Sequence, residues 1–247
     1  MDRRFARVLS AGVLALTVVL WFLLGGLAWP SRAFTVFLLG PLPALLLVQA
    51  RLSEKIPEEA GRQEVYLSSA VSIIILAALA MVAARYGGLS RLDLRLVPLG
   101  TGALLAAAGI TTAAGVALMV AGRLLDLPES PLVDFLIPRN GGDRIAFTGL
   151  SLTAGIGEEI VFRSFLIGAL LQAGASVAAA ATVSVVAFAV SHAYQGVVGV
   201  IRVALLGVVL TAPFLLTGSV YPSVVAHAAL DIIAGIFLAD WLTKQPR

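Results

Sequence analysis

The sequence predicts an all-α, polytopic membrane protein of about eight transmembrane helices, and three observations carry that prediction. Of the 247 residues, 60% are hydrophobic and 13% charged, whereas a soluble domain is nearer half apolar and a quarter charged. Mean hydropathy is +1.00. Apolar runs of about 20 residues, the length that crosses a bilayer, recur between short charged loops. Cysteine is absent, which removes disulfides, thiolate metal sites and a cysteine nucleophile. The net charge of +3 is scattered through loops with no aromatic-interleaved basic face, which argues against nucleic-acid binding.

The runs divide as follows. Span 1 is Val8–Trp29, behind Arg3, Arg4 and Arg7; it is too long for a signal-peptide core. Span 2 is Phe34–Ala50, with Pro41 and Pro43 as kink points. The charged loop Arg51–Glu64 leads to span 3, Val65–Ala84. Span 4, Val97–Ala121, begins a stripe of Gly102, Gly109, Gly115 and Gly122, read as a close-packing face. The stretch Arg123–Arg144 is polar and proline-rich. It reads as a connector, although its apolar middle, Leu132–Ile137, suits an interfacial gate. Spans 5 to 8 are Ile145–Gln172, Ser176–Ser191, Val197–Leu216 and Val220–Leu238.

Residues 1–144 are thus expected to be a scaffold of spans 1–4 plus connector, and 145–247 a catalytic core of spans 5–8. With the N-terminus cytoplasmic, Arg3, Arg4, Arg7, Arg51, Lys55, Arg62, Arg123, Arg139, Arg144, Lys244 and Arg247 fall on one side. Arg32, Arg85, Arg91 and Arg95 fall on the other. The positive-inside rule then puts both termini in the cytoplasm. Arginine outnumbers lysine, with only Lys55 and Lys244; with abundant Ala, Leu, Val and Gly this points to a GC-rich, bacterial genome and a plasma membrane.

Charge inside these runs is confined to Glu158, Glu159, Arg163, Arg202 and Asp231, and the two histidines, His192 and His227, lie there too. Charges at membrane depth are costly, so such residues are functional candidates by default. Glu159 and Arg163 are four apart and can pair on one helix face, which leaves Glu158 about 100° away and free to work. A helix-packing clamp is the competing reading of that pair. His192 ends span 6, where an interfacial histidine is equally at home. His227 and Asp231 share a face at i and i+4, and an Asp bonded to a His fixes its tautomer. If spans 5, 6 and 8 converge, two imidazoles and two or three carboxylates can hold a water and take its proton, directly or through zinc. The chemistry that follows is amide hydrolysis. A Gly-x-Ser-x-Gly elbow around Ser164 or Ser191 is absent, as is a His-Glu-x-x-His helix.

Glu158-Glu159-x-x-x-Arg163, Phe188-x-x-x-His192 and His227-x-x-x-Asp231, in that order, resemble the CAAX-processing and bacteriocin-processing (CPBP or Abi) intramembrane proteases from about Ala146 to Asp240. The resemblance implies an endopeptidase acting on a membrane-associated peptide or protein within the lipid bilayer. Glu158 would activate water with help from His192. His227 and Asp231 would bind the oxyanion or help hold a metal, and Glu159 and Arg163 would brace the site. Zinc held by Glu158, His192 and His227 and a metal-free glutamate mechanism both remain open. The prenyl-protease branch has Asn where this chain has Asp231, and an ionised Asp cannot donate to an oxyanion. That departure points to the bacterial branch and away from a prenylated substrate. Two other functions compete: a non-catalytic membrane immunity or regulatory protein, and a proton-coupled transporter relaying through Glu158, Glu159 and Asp231. The absence of an internal repeat counts against the transporter.

Overall fold

The computed structural model describes residues 3–52, 61–127 and 130–243, and every regular element in them is helical. In order these are α1 (Arg3–Leu23), α2 (Trp29–Leu39), α3 (Pro41–Leu52), α4 (Arg62–Tyr86), α5 (Thr101–Leu124), α6 (Pro131–Phe135) and α7 (Gly141–Glu158). A π-helical stretch, Glu159–Ile167, continues α7 into α8 (Gly168–Gln172). Then come α9 (Val177–Ser191), a 3₁₀ turn (Ala193–Gln195), α10 (Gly196–Thr217), α11 (Tyr221–Ile232), a second π-helical stretch (Ile233–Phe237) and α12 (Ala239–Thr243).

Four stretches are both long and apolar enough to cross a membrane: Trp29–Gln49, Arg62–Tyr86, Thr101–Leu124 and Ala193–Thr217. Leu9–Leu23, Val177–Ser191 and Tyr221–Phe237 are apolar but shorter. Among the described residues, spans 2, 3, 4 and 7 of the eight expected thus meet both criteria. Of the basic residues used to orient the chain, Lys55, Lys244 and Arg247 lie outside the described residues, as does Pro128 of the connector.

Local chemistry explains the boundaries. Pro41 sits at the first position of α3, where its missing N–H costs nothing, so span 2 divides at Gly40. Ser176 caps α9, its hydroxyl accepting from the Ala179 N–H at 3.2 Å. Asn140 caps α7 in the same way through the Asp143 N–H at 2.9 Å, and the Gln63 amide of α4 donates to Asp143 at 3.1 Å. The two helices therefore start level with each other.

The core crosses the expected boundary at 144. Leu27, Leu38, Ala80 and Ala84 from the first half are buried with Phe165, Leu166, Phe188 and Phe214 from the second. α4 packs along α7, and α5 along α11. Buried hydroxyls tie helices together: Ser31 Oγ donates to the Ala83 carbonyl at 3.1 Å, Ser184 Oγ to Phe162 at 2.6 Å, and Ser223 Oγ to Leu210 at 2.8 Å. In an apolar setting such bonds satisfy groups that water cannot reach.

Packing refines two of these readings. The glycine stripe of α5 is only partly a packing face: a methyl on Gly115 would strike Leu230, while around Gly102 and Gly109 there is open space. The segment around Leu132–Ile137 is held down, since the Arg62 Nε donates to the Phe135 carbonyl at 2.7 Å and the Tyr66 hydroxyl to Leu136 at 2.8 Å. That is the behaviour of a fixed connector.

Candidate active site

Glu158 closes α7 and Glu159 opens the π-helical stretch; single insertions of this wider helix recur at functional sites. Glu159 and Arg163 are both fully buried, with Arg163 Nη1 3.1 Å from Glu159 Oε1. The guanidinium is held on its other sides by α10 and α9. Its Nη2 donates to the Gly207 carbonyl at 3.3 Å, its Nε to Thr211 Oγ1 at 3.4 Å, and its centre lies 4.3 Å from the middle of the Phe188 ring. Glu158 forms no ion pair with an arginine among the described residues, so the division of the two acids expected from their spacing is present in space.

The same Glu159 Oε1 accepts a hydrogen bond from His227 Nδ1 at 2.8 Å. A carboxylate only accepts, so Nδ1 carries the proton of that bond. Nε2 is then the imidazole's open face. It lies 3.7 Å from Glu158 Oε2 and 3.8 Å from Asp231 Oδ2. Both separations exceed a direct hydrogen bond, and each suits one bridging atom. Side-chain exposure rises from Glu159 at 0% through Glu158 at 17% to Asp231 at 36%, so the cluster opens from the Asp231 side.

Asp231 was expected to orient His227, and here the structure differs. Position i+4 puts Asp231 on the right face, but its carboxylate meets Nε2 from a distance. Glu159, from another helix, takes Nδ1. The close approach of α7 and α11 makes this reach available. A methyl on Gly155 would come within 2.8 Å of the Ala228 nitrogen and Cβ and within 3.0 Å of the Val224 carbonyl, so only glycine allows these backbones to touch beside His227.

Gly155→Ala is therefore expected to push α11 off α7. Overpacking of this kind costs about 1–3 kcal/mol, and a misplacement near 1 Å can cost a reaction about 10²-fold. A lowered melting temperature together with at least roughly tenfold loss of activity should result. Gly109→Ala, where nothing lies within 4 Å, should change neither. Melting curves and turnover on both variants check this.

His192 caps the end of α9. Its Nδ1 donates to the Phe188 carbonyl at 2.9 Å, which leaves Nε2 free. The Phe188 ring lies between the imidazoles, 4.8 Å from His192 and 5.9 Å from His227. His192 forms no ion pair with Glu158 among the described residues, but it is within electrostatic reach of Asp231. The Ser191 hydroxyl is spent on the Phe188 carbonyl at 2.6 Å. Arg202 lies away from the site, donating to the Leu127 carbonyl at 2.9 Å.

Some participants were not picked out from sequence. Thr211 and Gly207 steady Arg163; a lone hydroxyl in an apolar run was the available signal for the first. Tyr194 stands two residues after His192, with ring centres 5.8 Å apart and its phenol within electrostatic reach of Glu158 and Asp231.

Zinc would need several donors turned onto one point. Among the described residues no group of three or more His, Asp or Glu side chains is so placed. Nδ1 of each histidine has a protein partner, which leaves Nε2 as the nitrogen a metal would take. No step is derived through a metal.

Apolar helices, four of them long enough to cross a membrane, surround the buried acid–imidazole cluster, as in an integral membrane protein. Residues 141–233, a little over a third of the chain, match the family model described as Rce1-like, type II CAAX prenyl endopeptidase Rce1-like. The match spans all six candidate residues and supports the resemblance of this part of the chain to the CPBP/CAAX proteases. No curated protein and no solved structure matches the chain. The family model's description names a prenyl endopeptidase, whereas Asp231 had pointed away from a prenylated substrate.

Proposed function

We propose that the protein is an intramembrane endopeptidase of the glutamate type, cleaving a peptide bond in a membrane-associated peptide or protein. One observation carries this reading: Glu158 and Asp231 flank the open Nε2 of a His227 whose opposite nitrogen is locked by Glu159. A water in that gap touches a base, Glu158, that no arginine neutralises. Glu158 takes its proton as the oxygen attacks the scissile carbonyl. His227 Nε2, the unprotonated nitrogen of that imidazole, accepts the water's second hydrogen and orients the attack. The carbon–nitrogen bond then breaks, and the proton on Glu158 goes to the departing amine. His192, through its free Nε2, helps place the water. Arg163 holds Glu159 in position, so the tautomer of His227 is set before substrate arrives. The loop charges support a plasma-membrane placement with eight spans and both ends cytoplasmic.

The test is cleavage of a fluorogenic, membrane-anchored peptide library by purified protein in liposomes, with metal analysis and chelator treatment in parallel. Turnover should persist undiminished in chelator, with less than one equivalent of zinc per chain. Loss of turnover that zinc restores would defeat the metal-free mechanism. A folded protein that cleaves no peptide but binds one tightly would replace the enzyme with the regulatory alternative.

A further inference from the structure

At the end of the bundle remote from α6, residues 87–100 join α4 to α5 and enclose a cavity of about 470 Å³ against the start of α11. Its floor is apolar, formed by the buried Leu89 and Leu94 with Leu96 beside them, while the exposed Arg85, Arg91 and Tyr221 stand at the rim. The loop is firmly built. The Asp93 carboxylate accepts from both the N–H and the hydroxyl of Ser90 at 2.7 Å, and those bonds hold it below the usual carboxylate range. The Arg95 guanidinium donates to the Phe214 and Leu215 carbonyls at 3.2 and 3.4 Å, and the Val220 N–H donates to the Arg95 carbonyl at 3.0 Å.

Three other arginines are occupied: Arg62, Arg95 and Arg123 each donate to a backbone carbonyl and cover an aromatic ring. Arg85 and Arg91 have no hydrogen-bond or ion-pair partner among the described residues. The loop's acid, Asp93, is committed to Ser90. Two unpaired guanidiniums over a leucine floor form an amphiphilic receptor, cationic outside and apolar inside. Arg85 ends a membrane-length helix, and the neighbouring Tyr86 and Leu92 are strongly exposed, as interfacial anchors are.

We propose that this cavity binds an anionic phospholipid. The headgroup phosphate sits between Arg85 and Arg91, whose planar forks match its oxygens, and the first acyl carbons lie on Leu89, Leu94 and Leu96. The lipid clamps the loop to the start of α11 and touches none of the six candidate site residues, so this site stands independently of the enzyme reading.

The test uses full-length protein in phosphatidylcholine nanodiscs with and without phosphatidylglycerol. It reads melting temperature and, by native mass spectrometry, retained lipid. Wild type should hold phosphatidylglycerol in preference to phosphatidylcholine and melt higher in its presence. Arg85→Gln/Arg91→Gln should weaken that preference by at least about tenfold, since each charge-assisted bond is worth that much, and should lose the melting shift. Arg91→Gln alone should fall between, and Arg144→Gln, an exposed arginine at the other end, should behave as wild type. A double variant with an unchanged preference would overturn the proposal. Equal stabilisation by inorganic phosphate in phosphatidylcholine would overturn it too, by showing a simple anion site.

Discussion

Glu158→Gln is expected to lower peptide cleavage by roughly 10²–10⁴-fold, the usual range for loss of a positioned general base, with little change in melting temperature. The amide keeps the size and shape of the side chain but does not accept a proton from water. Glu158 is the partly exposed member of the pair, and its Oε2 stands 3.7 Å from His227 Nε2 without a direct hydrogen bond. Little of the fold therefore depends on its charge. A single-turnover assay separates the effect from binding: the chemical step should slow while peptide affinity holds. Full activity in this variant would remove Glu158 from the mechanism and take the glutamate-type reading with it.

Arg163→Met should act in the opposite way, through stability first. Met has nearly the same reach, so the change removes charge and donors more than volume. Glu159 would then be a carboxylate at 0% exposure with only His227 as partner. Its Oε2 is buried with no hydrogen-bond donor among the described residues, so nothing else stands ready to take over. Breaking one side of a buried ion pair costs about 3–5 kcal/mol, or roughly 6–20 °C in melting temperature at 2–4 °C per kcal/mol. The Phe188 face and the Gly207 carbonyl lose their cation as well. Glu159→Leu/Arg163→Met should recover much of the stability, because no uncompensated charge remains, but not the activity, because His227 Nδ1 loses its acceptor. Melting curves on the single and double variants, with turnover alongside, check both halves. A double variant that is as inactive and as unstable as the single one would show that Arg163 is needed for packing alone.

Much of this was legible in the residues. Runs of apolar side chains specify helices wherever a bilayer-length stretch lies between charged loops, so α9 and α10 begin and end within a residue or two of where composition put them. The Glu159–Arg163 pair was legible because i and i+4 are neighbours on any helix. The rarity of charge at that depth singled out Glu158, Glu159, Arg163 and Asp231, and the two histidines stood out in the same apolar runs. The glycines of α5 were less so: their spacing is the same whether they touch a helix or face open space, and only Gly115 and Gly122 have neighbours.

What the chain order by itself determined, then, was which polar groups lie inside the apolar helices and which of them share one helix face. Tertiary structure alone decided that Glu159, and not Asp231, grips His227, that α10 supplies Thr211 and Gly207 to Arg163, and that Nε2 opens between two acids. Periodicity along one helix fixes angles about its own axis. A hydrogen bond between helices depends on how closely two axes approach, and here that distance is set where Gly155 lets α7 rest on the backbone of Ala228.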